Sequence, residues 1–269
     1  RLNLTILHFQ LTGDIEIAIT SGIFFVNSIH TFGSYLQLMG KTFSWPERLR
    51  MFHRQYIKDM NQLGVDSIGI VLLISFFIGA VICIQMKLNI QSPWMPRFTT
   101  GYTTREIFLL EFSSSIMCII LAGKVGSNIA SEIGTMRVTQ QIDAIEIMGI
   151  NPAAFLILPK ICAMLTMTPI LVIFSIFAGF GGAYAAAISG ILTPEDLTYG
   201  LQHDFNSWYV WMGVIKSYFF MFLIASVSSY CGYTVQGGSF EVGKASTNAV
   251  VSSSVLILCS DVFLTQLLS

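Results

Sequence analysis

The chain has 269 residues, of which 54% are hydrophobic and only 11% are charged, and its mean hydropathy is +0.69. A soluble domain carries roughly 25% charged residues, so most of this surface is expected to face something other than water. The formal net charge of −1 and a pI near 6.5 give no electrostatic basis for nucleic-acid binding. These values indicate an integral membrane protein.

The N-terminal region is apolar but irregular. Residues 15–40 are interrupted by polar residues between Asn27 and His30, and the stretch Lys41–Asp59 interleaves basic residues with aromatic and apolar ones. Basic residues beside aromatic ones are typical of a helix at the headgroup level of a membrane. We therefore predict an N-terminal segment, residues 1–63, with an interfacial elbow helix. A full span through residues 15–40 is the alternative.

Residues 64–269 are predicted to form the transmembrane domain. A spanning helix needs about 20 mostly apolar residues to cross ~30 Å of hydrocarbon. The stretches that meet this requirement cleanly are Ser67–Met86, Ile107–Ala122, Trp208–Tyr230 and Val250–Leu268.

A further apolar region, Ala153–Leu192, is too long for one straight helix. It contains Pro159, Pro169 and the Gly179–Gly182 cluster. We predict one long, kinked span, with two shorter broken halves as the alternative, because Pro and Gly can interrupt membrane helices where protein satisfies the backbone. The predicted fold is therefore an all-α integral membrane protein with about five transmembrane helices.

Charge in the connecting segments predicts the orientation. Basic residues are dense in Lys41–Lys58, whereas the loop Thr193–Asp204 has three acidic residues and no basic one. Because basic loops stay in the cytoplasm, the elbow and the 123–152 segment are predicted to be cytoplasmic and the acidic loop external. With five spans the N-terminus is inside and the C-terminus outside.

The longest polar insertion is Ala122–Pro152. Its apolar residues recur at helical spacing, and Gly126, Gly134 and Gly149 read as breaks between short amphipathic helices. Such a segment suits a docking surface for a cytoplasmic partner, and a helix lying on the bilayer surface is the alternative.

The same segment resembles the signature of the MlaE-type permease family, the membrane subunits of MCE-associated ABC transporters that maintain lipid asymmetry. That signature has a small-residue A-G-R/K-x-G start, an AEIG-like centre, M-R/K-V/A-T-E/Q-Q and a final M-x-V/I-D/N-P. The resemblance extends through Ile215–Ser217, Gly243–Thr247 and Asp261–Thr265. The matching positions in the signature are Gly123, Lys124, Gly126, Glu132, Ile133, Gly134, Met136, Arg137, Thr139, Gln141, Ile142, Met148, Asn151 and Pro152.

The resemblance implies an assembly and a cargo. A second copy of the chain, cytoplasmic ABC ATPase subunits and an MCE-domain periplasmic protein are the expected partners. The expected cargo is phospholipid, moved between a Gram-negative inner membrane and a periplasmic path. The expected ATPase-coupling residues are Glu132, Thr135, Arg137, Gln141, Asp143 and Glu146.

No enzymatic site is predicted in this chain. It lacks the G-x-x-x-x-G-K-[ST] phosphate loop, so no cofactor of its own is expected and ATP is expected to be bound by the partner subunit. Its Cys and His residues are dispersed through the sequence and suggest no metal site.

Charges within the apolar stretches need a reason, because an ionisable group at bilayer depth costs at least ~2.5–3.5 kcal/mol. Glu111, Lys216 and Asp261 are predicted to lie at similar depth in the outer half, where opposite charges can pair. Such a cluster either contacts substrate or holds helices together, and both interpretations stay open. The family commonly has Arg-Glu-Leu-Gly-Pro around the second-span acid, whereas residues 110–114 here are Leu-Glu-Phe-Ser-Ser.

Two other functions are weighed against a lipid permease. An ion-gradient-driven secondary transporter would account for the intramembrane charges but predicts inverted repeats, of which the sequence gives no convincing example. A membrane-embedded lipid-modifying enzyme predicts a catalytic His or a carboxylate cluster at the interface, and neither is evident.

Overall fold

The computed structural model describes residues 30–44, 49–90, 94–96 and 98–268, and within them it contains no β-strand. Five helices of this part are long and apolar enough to cross a membrane. The prediction of an all-α integral membrane protein with about five spans is confirmed. Spans 1 to 5 are Arg50–Asn89, Thr99–Val138, Pro152–Gly190, Ser207–Tyr233 and Ser239–Leu268.

The spans are assembled from consecutive helical segments. The α-helices, numbered in chain order, are α1 (residues 30–42), α2 (Leu49–Asp59), α3 (Asp66–Asn89), α4 (Thr99–Ile107), α5 (Met117–Leu121), α6 (Ser127–Val138), α7 (Gln141–Ile147), α8 (Pro152–Ala186), α9 (Pro194–Gln202), α10 (Ser207–Tyr233) and α11 (Ser239–Leu268). π-Helical segments lie between some of them, at Met60–Val65, Phe108–Ile116, Ala122–Gly126 and Ala187–Ile191.

The N-terminal helices lie against the outside of the bundle. In α1 the Tyr35 hydroxyl donates to Ser226 Oγ over 2.8 Å. In α2 the Tyr56 hydroxyl donates to Thr166 Oγ1 over 2.9 Å, and Gly64, beyond α2, lies directly against Met167. Tyr56 and Gly64 are about 12 Å apart along a helix, yet they contact neighbouring residues of α8.

Helix α2 is therefore tied to α8 at Thr166 and, through Asp59, at Lys160, and its role as an interfacial elbow stays a prediction. The boundary predicted between residues 63 and 64 falls in the π-helical segment where α2 continues into α3. Of the N-terminal segment predicted to lie in or across the membrane, residues 15–29 lie outside the described residues.

Span 2 is much longer than the predicted Ile107–Ala122. The helix continues through two of the three glycines at which breaks were predicted, so those two predictions are wrong. Gly126, at the end of the π-helical segment Ala122–Gly126, and Gly134, in α6, are both helical, and both segments pack against α10 and α11. A Cβ would lie 2.9 Å from Ser228 Oγ at Gly126 and 3.2 Å from Val242 Cγ1 at Gly134. These glycines permit close packing, and they do not end the helix.

The helix ends instead at the turn around Gln140, whose φ is +60°. The third predicted break is confirmed: Gly149 has φ +79°, a left-handed conformation that glycine adopts without strain. Between these two turns lies the short helix α7.

Span 3 is one continuous helix, as predicted, with Pro159 and Pro169 inside it. It begins at the Asn151–Pro152 pair, where Asn151 Oδ1 accepts from the Ala153 amide over 3.1 Å and proline occupies the first helical position. The Asn151 side chain also donates through Nδ2 to the Lys41 carbonyl over 2.9 Å, which ties the end of α1 to the start of α8.

The small residues of span 3 form a face on which a second helix approaches closely. A Cβ at Gly182 would collide with the Phe76 carbonyl of α3, and a Cβ at Gly79 would collide with the backbone of Gly179. The backbones of α3 and α8 are thus in direct contact over this stretch.

The segment Thr193–Asp204, predicted as a loop, contains the short helix α9, which packs against α4. The fully buried Arg105 guanidinium fixes its C-terminal end by donating to the carbonyls of Leu201 (3.0 Å) and His203 (2.8 Å). The last carbonyl groups of a helix have no hydrogen-bond donor within the helix, and one arginine here supplies several of the missing N–H donors.

Candidate functional site: the coupling segment and two buried charge clusters

The segment between spans 2 and 3 presents an apolar tip. Helix α7 is anchored by Ile142, which is fully buried, and by an ion pair of 2.6 Å between Arg137 Nη1 and Asp143 Oδ1. At its end Ile147 is 87% exposed and Met148 is 66% exposed. Two adjacent apolar side chains with that exposure, in a polar connecting segment, are typical of a surface that a partner covers.

The six predicted coupling residues divide into three groups. Gln141 and Glu146 are exposed on α7, and Thr135 is exposed on α6. Arg137 and Asp143 are partly exposed and pair with each other, so they brace the turn between α6 and α7. The sixth, Glu132, points away from the tip into the protein.

Glu132 belongs to a buried cluster around Lys160, which we call the inner cluster (Asp59, Glu132 and Lys160). Lys160 Nζ lies 2.6 Å from Glu132 Oε2 and 3.2 Å from Asp59 Oδ1. The Lys160 side chain is 1% exposed, that of Asp59 is 0% exposed and that of Glu132 is 18% exposed. Gln55 Nε2 also donates to Asp59 Oδ1 over 3.1 Å.

The inner cluster joins three helices that the sequence separates widely. Asp59 ends α2, Glu132 lies on α6 and Lys160 lies on α8. Asp59 Oδ2 has no hydrogen-bond partner among the described residues. One lysine thus shares its charge between two carboxylates, and α2 is connected through α8 to α6.

The three intramembrane charges do come together, as their predicted depths require; we call them the outer cluster (Glu111, Lys216 and Asp261). Lys216 Nζ lies 3.0 Å from Asp261 Oδ1 and 3.3 Å from Glu111 Oε1. The Lys216 side chain is 0% exposed, whereas that of Glu111, in a π-helical segment, is 39% exposed. π-Helical segments often occur at functional sites, and the geometry fits both a structural and a substrate-contacting role.

Sequence reasoning missed the roles of Asp59, Lys160 and Arg105. Each carried a usable signal. Asp59 is an acid that closes a basic stretch, and Lys160 is a lone cation within an apolar helix. Arg105 lies near the outer end of span 2, where a buried guanidinium needs several acceptors. The sequence does not show which residue pairs with each of these three, because the partners are distant in the chain.

The described residues contain neither a cluster of metal ligands nor a complete phosphate-loop motif. The described residues contain no group of three or more His, Cys, Asp or Glu side chains that could hold a metal ion. Gly238, Gly243 and Lys244 have the spacing of a phosphate loop, but Ala245 stands where that loop needs Ser or Thr. Moreover, Ser239–Leu268 is helical, so most of these backbone amides serve the helix.

A multi-pass helical bundle with a short exposed helix between two of its spans is compatible with the membrane subunit of a transporter. The sequence model described as Permease MlaE matches residues 56–267. The chain belongs to the MlaE permease family.

Relatives described as ABC transporter permeases support this assignment. A probable ABC transporter permease protein of Synechocystis is 32% identical over 232 residues, covering 86% of this chain and 88% of that protein. A probable ABC transporter permease protein of Rickettsia prowazekii is 33% identical over 217 residues, covering 78% of this chain and 82% of that protein. The chain is thus a permease subunit of the ABC transporter class, which works with partner subunits.

The name of one plant relative contains the name of a lipid. The chloroplast protein TRIGALACTOSYLDIACYLGLYCEROL 1 of Arabidopsis thaliana is 30% identical over 222 residues, covering 79% of this chain and 61% of that protein.

Proposed function

We propose that this permease moves phospholipid between the inner membrane of a Gram-negative bacterium and a periplasmic path that starts at an MCE-domain protein. A separate cytoplasmic ATPase subunit binds ATP and supplies the energy, and two copies of the permease form the translocating unit. The permease itself catalyses no reaction and needs no cofactor.

The exposed apolar tip of α7 is the observation that carries the proposal. Ile147 and Met148 lie at the end of a segment with the family signature, directly after the exposed Glu146. An apolar knob with a polar rim suits a cleft on a soluble partner, because the apolar core of an interface contributes affinity while the rim gives orientation. ATPase binding at this tip would reach α6 through the Arg137–Asp143 pair.

The name of the Arabidopsis relative supports a lipid cargo, since it contains the name of a glycolipid. The outer cluster is compatible with a charged headgroup passing at that depth. An ion-gradient-driven transporter is the competing function, and the ABC permease descriptions of the relatives favour the ATP-driven one.

The test is co-purification from native membranes in mild detergent, with the accompanying proteins and lipids identified by mass spectrometry. The full chain is compared with Ile147→Ser/Met148→Ser and with Phe177→Ser, a control at an exposed apolar side chain within span 3. We expect the double variant to lose the ATPase and to keep the MCE-domain protein, and the control to keep both.

If the unmodified chain brings down no ATPase under several mild conditions, the ABC function is wrong and the gradient-driven transporter replaces it. If the double variant keeps the ATPase fully, the docking site lies elsewhere. Phospholipid enriched in the unmodified complex supports the cargo, and its absence contradicts it.

A further inference from the structure

Helix α2 carries a stripe of basic side chains on its outer face. Arg50, Arg54 and Lys58 are spaced four residues apart, so they lie along one side of the helix, and all three are exposed. Among the described residues none of the three has an ion-pair partner. Like charges at this spacing repel one another, so the stripe is unfavourable without a counter-charge.

The opposite side of α2 explains why the stripe faces outwards. Asp59 is fully buried against Lys160, and Tyr56 donates its hydroxyl to Thr166. These contacts fix the rotation of α2 about its own axis, so the basic stripe cannot turn towards α8.

Apolar side chains accompany the stripe. Met51 is 42% exposed and Ile57 is 55% exposed, each next in sequence to a basic residue of the stripe. Exposed apolar groups beside basic ones are typical of a helix at a membrane surface. There the apolar groups enter the acyl region and the long basic side chains extend to the phosphates.

The contacts of α2 with α8 place it at the level of the inner headgroups. On α8 the large exposed apolar side chains begin at Ile170, and along span 3 they continue to Ile188, about 27 Å of helix. That length is close to the ~30 Å hydrocarbon thickness. Thr166, which binds Tyr56, lies about one helical turn before Ile170, and Lys160, which binds Asp59, lies about 15 Å before it. Helix α2 therefore covers the headgroup level and extends beyond it on the side predicted to be cytoplasmic.

We propose that the basic stripe of α2, formed by Arg50, Arg54 and Lys58, binds the anionic headgroups of phospholipids in the inner leaflet. Three unpaired cations beside apolar anchors at headgroup depth are complementary to an anionic lipid surface. The stripe faces away from the bundle and lies at the opposite end from the outer cluster, so the bound lipid is part of the surrounding membrane and is not cargo in transit.

The binding measurement uses the full chain in detergent, without ATPase or transport. Phosphatidylglycerol and phosphatidylcholine with identical acyl chains are added together, and the bound ratio is measured by native mass spectrometry across a salt series. A basic residue at an anionic surface contributes about fivefold in affinity, so Arg50→Gln/Arg54→Gln/Lys58→Gln is expected to lower the phosphatidylglycerol preference roughly 100-fold. The salt dependence should flatten as well, because screening acts on these charges.

Matched variants separate the stripe from overall charge. Arg54→Gln/Lys58→Gln is compared with Lys87→Gln/Lys244→Gln, which removes as many charges from other parts of the chain. The stripe variant is expected to lose about 25-fold in preference and the control to retain it. The charge-conserving Arg50→Lys/Arg54→Lys is expected to keep the preference, because the attraction is electrostatic.

An unchanged preference in the triple variant overturns the proposal, as does an equal fall in the Lys87/Lys244 control. If the triple variant keeps its lipid preference but loses a co-purifying ATPase, the stripe is a protein-docking surface and the proposal is wrong. Failure of ATP-driven lipid transport would leave this binding measurement unaffected, so the two proposals can fail separately.

Discussion

The inner and outer clusters have the same composition and different surroundings. In each, one buried lysine lies between two carboxylates, with Lys160 in the inner cluster and Lys216 in the outer one. In the inner cluster Asp59 is 0% exposed, whereas in the outer cluster Glu111 is 39% exposed. The inner cluster joins α2, α6 and α8, and the outer one joins span 2 to α10 and α11.

This difference indicates different roles for the same set of charges. A fully buried carboxylate depends on its lysine for compensation, so the inner cluster should contribute strongly to folding. A partly exposed carboxylate has room to move to another partner. The carboxylates of the outer cluster can therefore rearrange when a lipid headgroup passes. Four substitutions, ordered from the largest expected effect to the smallest, can break or sharpen this comparison.

Lys160→Met should have the largest effect. It leaves Asp59 and Glu132 buried together without a compensating charge, and breaking such a pair costs about 3–5 kcal/mol. The free energy of unfolding in a denaturant titration of the detergent-solubilised chain measures the loss. Lys244→Met, at an exposed lysine with a long 3.9 Å ion pair, is the control and should be close to neutral.

Lys216→Met should cost less, about 2–3 kcal/mol, because the partly exposed Glu111 can separate from Asp261 once the lysine is gone. The same titration measures it. A loss greater than that of Lys160→Met would reverse the comparison and make the outer cluster the main structural element.

Gly182→Ala should cost about 1–3 kcal/mol, because the added methyl group forces α8 away from the Phe76 carbonyl of α3. The shift should disturb the outer cluster more than the inner one, because Gly179, one turn from Gly182, contacts Phe108, which lies one turn before Glu111. Lys160 lies about 33 Å away along α8. Gly181→Ala is the matched control, since nothing lies within 4 Å of its Cβ position. Equal stability of the two variants would show that α3 and α8 are less tightly packed than their backbone contact implies.

Glu132→Gln should have the smallest effect on stability, no more than about 1 kcal/mol, because Lys160 keeps Asp59 as a partner. It removes the charged link between α6 and α8 and leaves the α7 surface unchanged. In the reconstituted complex we expect ATP hydrolysis to persist while lipid transfer falls. Unchanged transfer would mean that the link does not carry movement from the coupling segment.

Much of the fold could be predicted from local sequence. Long apolar stretches predict spans because every backbone polar group must be satisfied within the helix in lipid. The one-helix prediction for span 3 is confirmed for this reason, even with Pro159 and Pro169 inside it. Two of the errors concern glycines: Gly126 and Gly134 look like breaks in the sequence, and only their contacts with Ser228 and Val242 reveal a packing role.

The candidate site likewise has contacts that could be predicted from the sequence and contacts that could not. The pairing of Glu111, Lys216 and Asp261 could be predicted from depth alone, because opposite charges at one level in an apolar medium attract strongly. Glu132 was predicted to act in coupling, and that role stays a prediction. Its contact with Lys160 could not be foreseen, because sequence spacing does not say which side of α6 faces α8.

The sequence by itself determined that this protein crosses a membrane about five times, which segment lies between spans 2 and 3, and which family it belongs to. These properties depend on runs of apolar residues and on a local motif, both of which are read along the chain. Only the tertiary structure decided that Asp59 meets Lys160, that the basic stripe of α2 faces outwards and that Ile147 and Met148 are left exposed. These properties depend on the rotation and crossing of helices, which are set by side-chain packing between residues far apart in sequence.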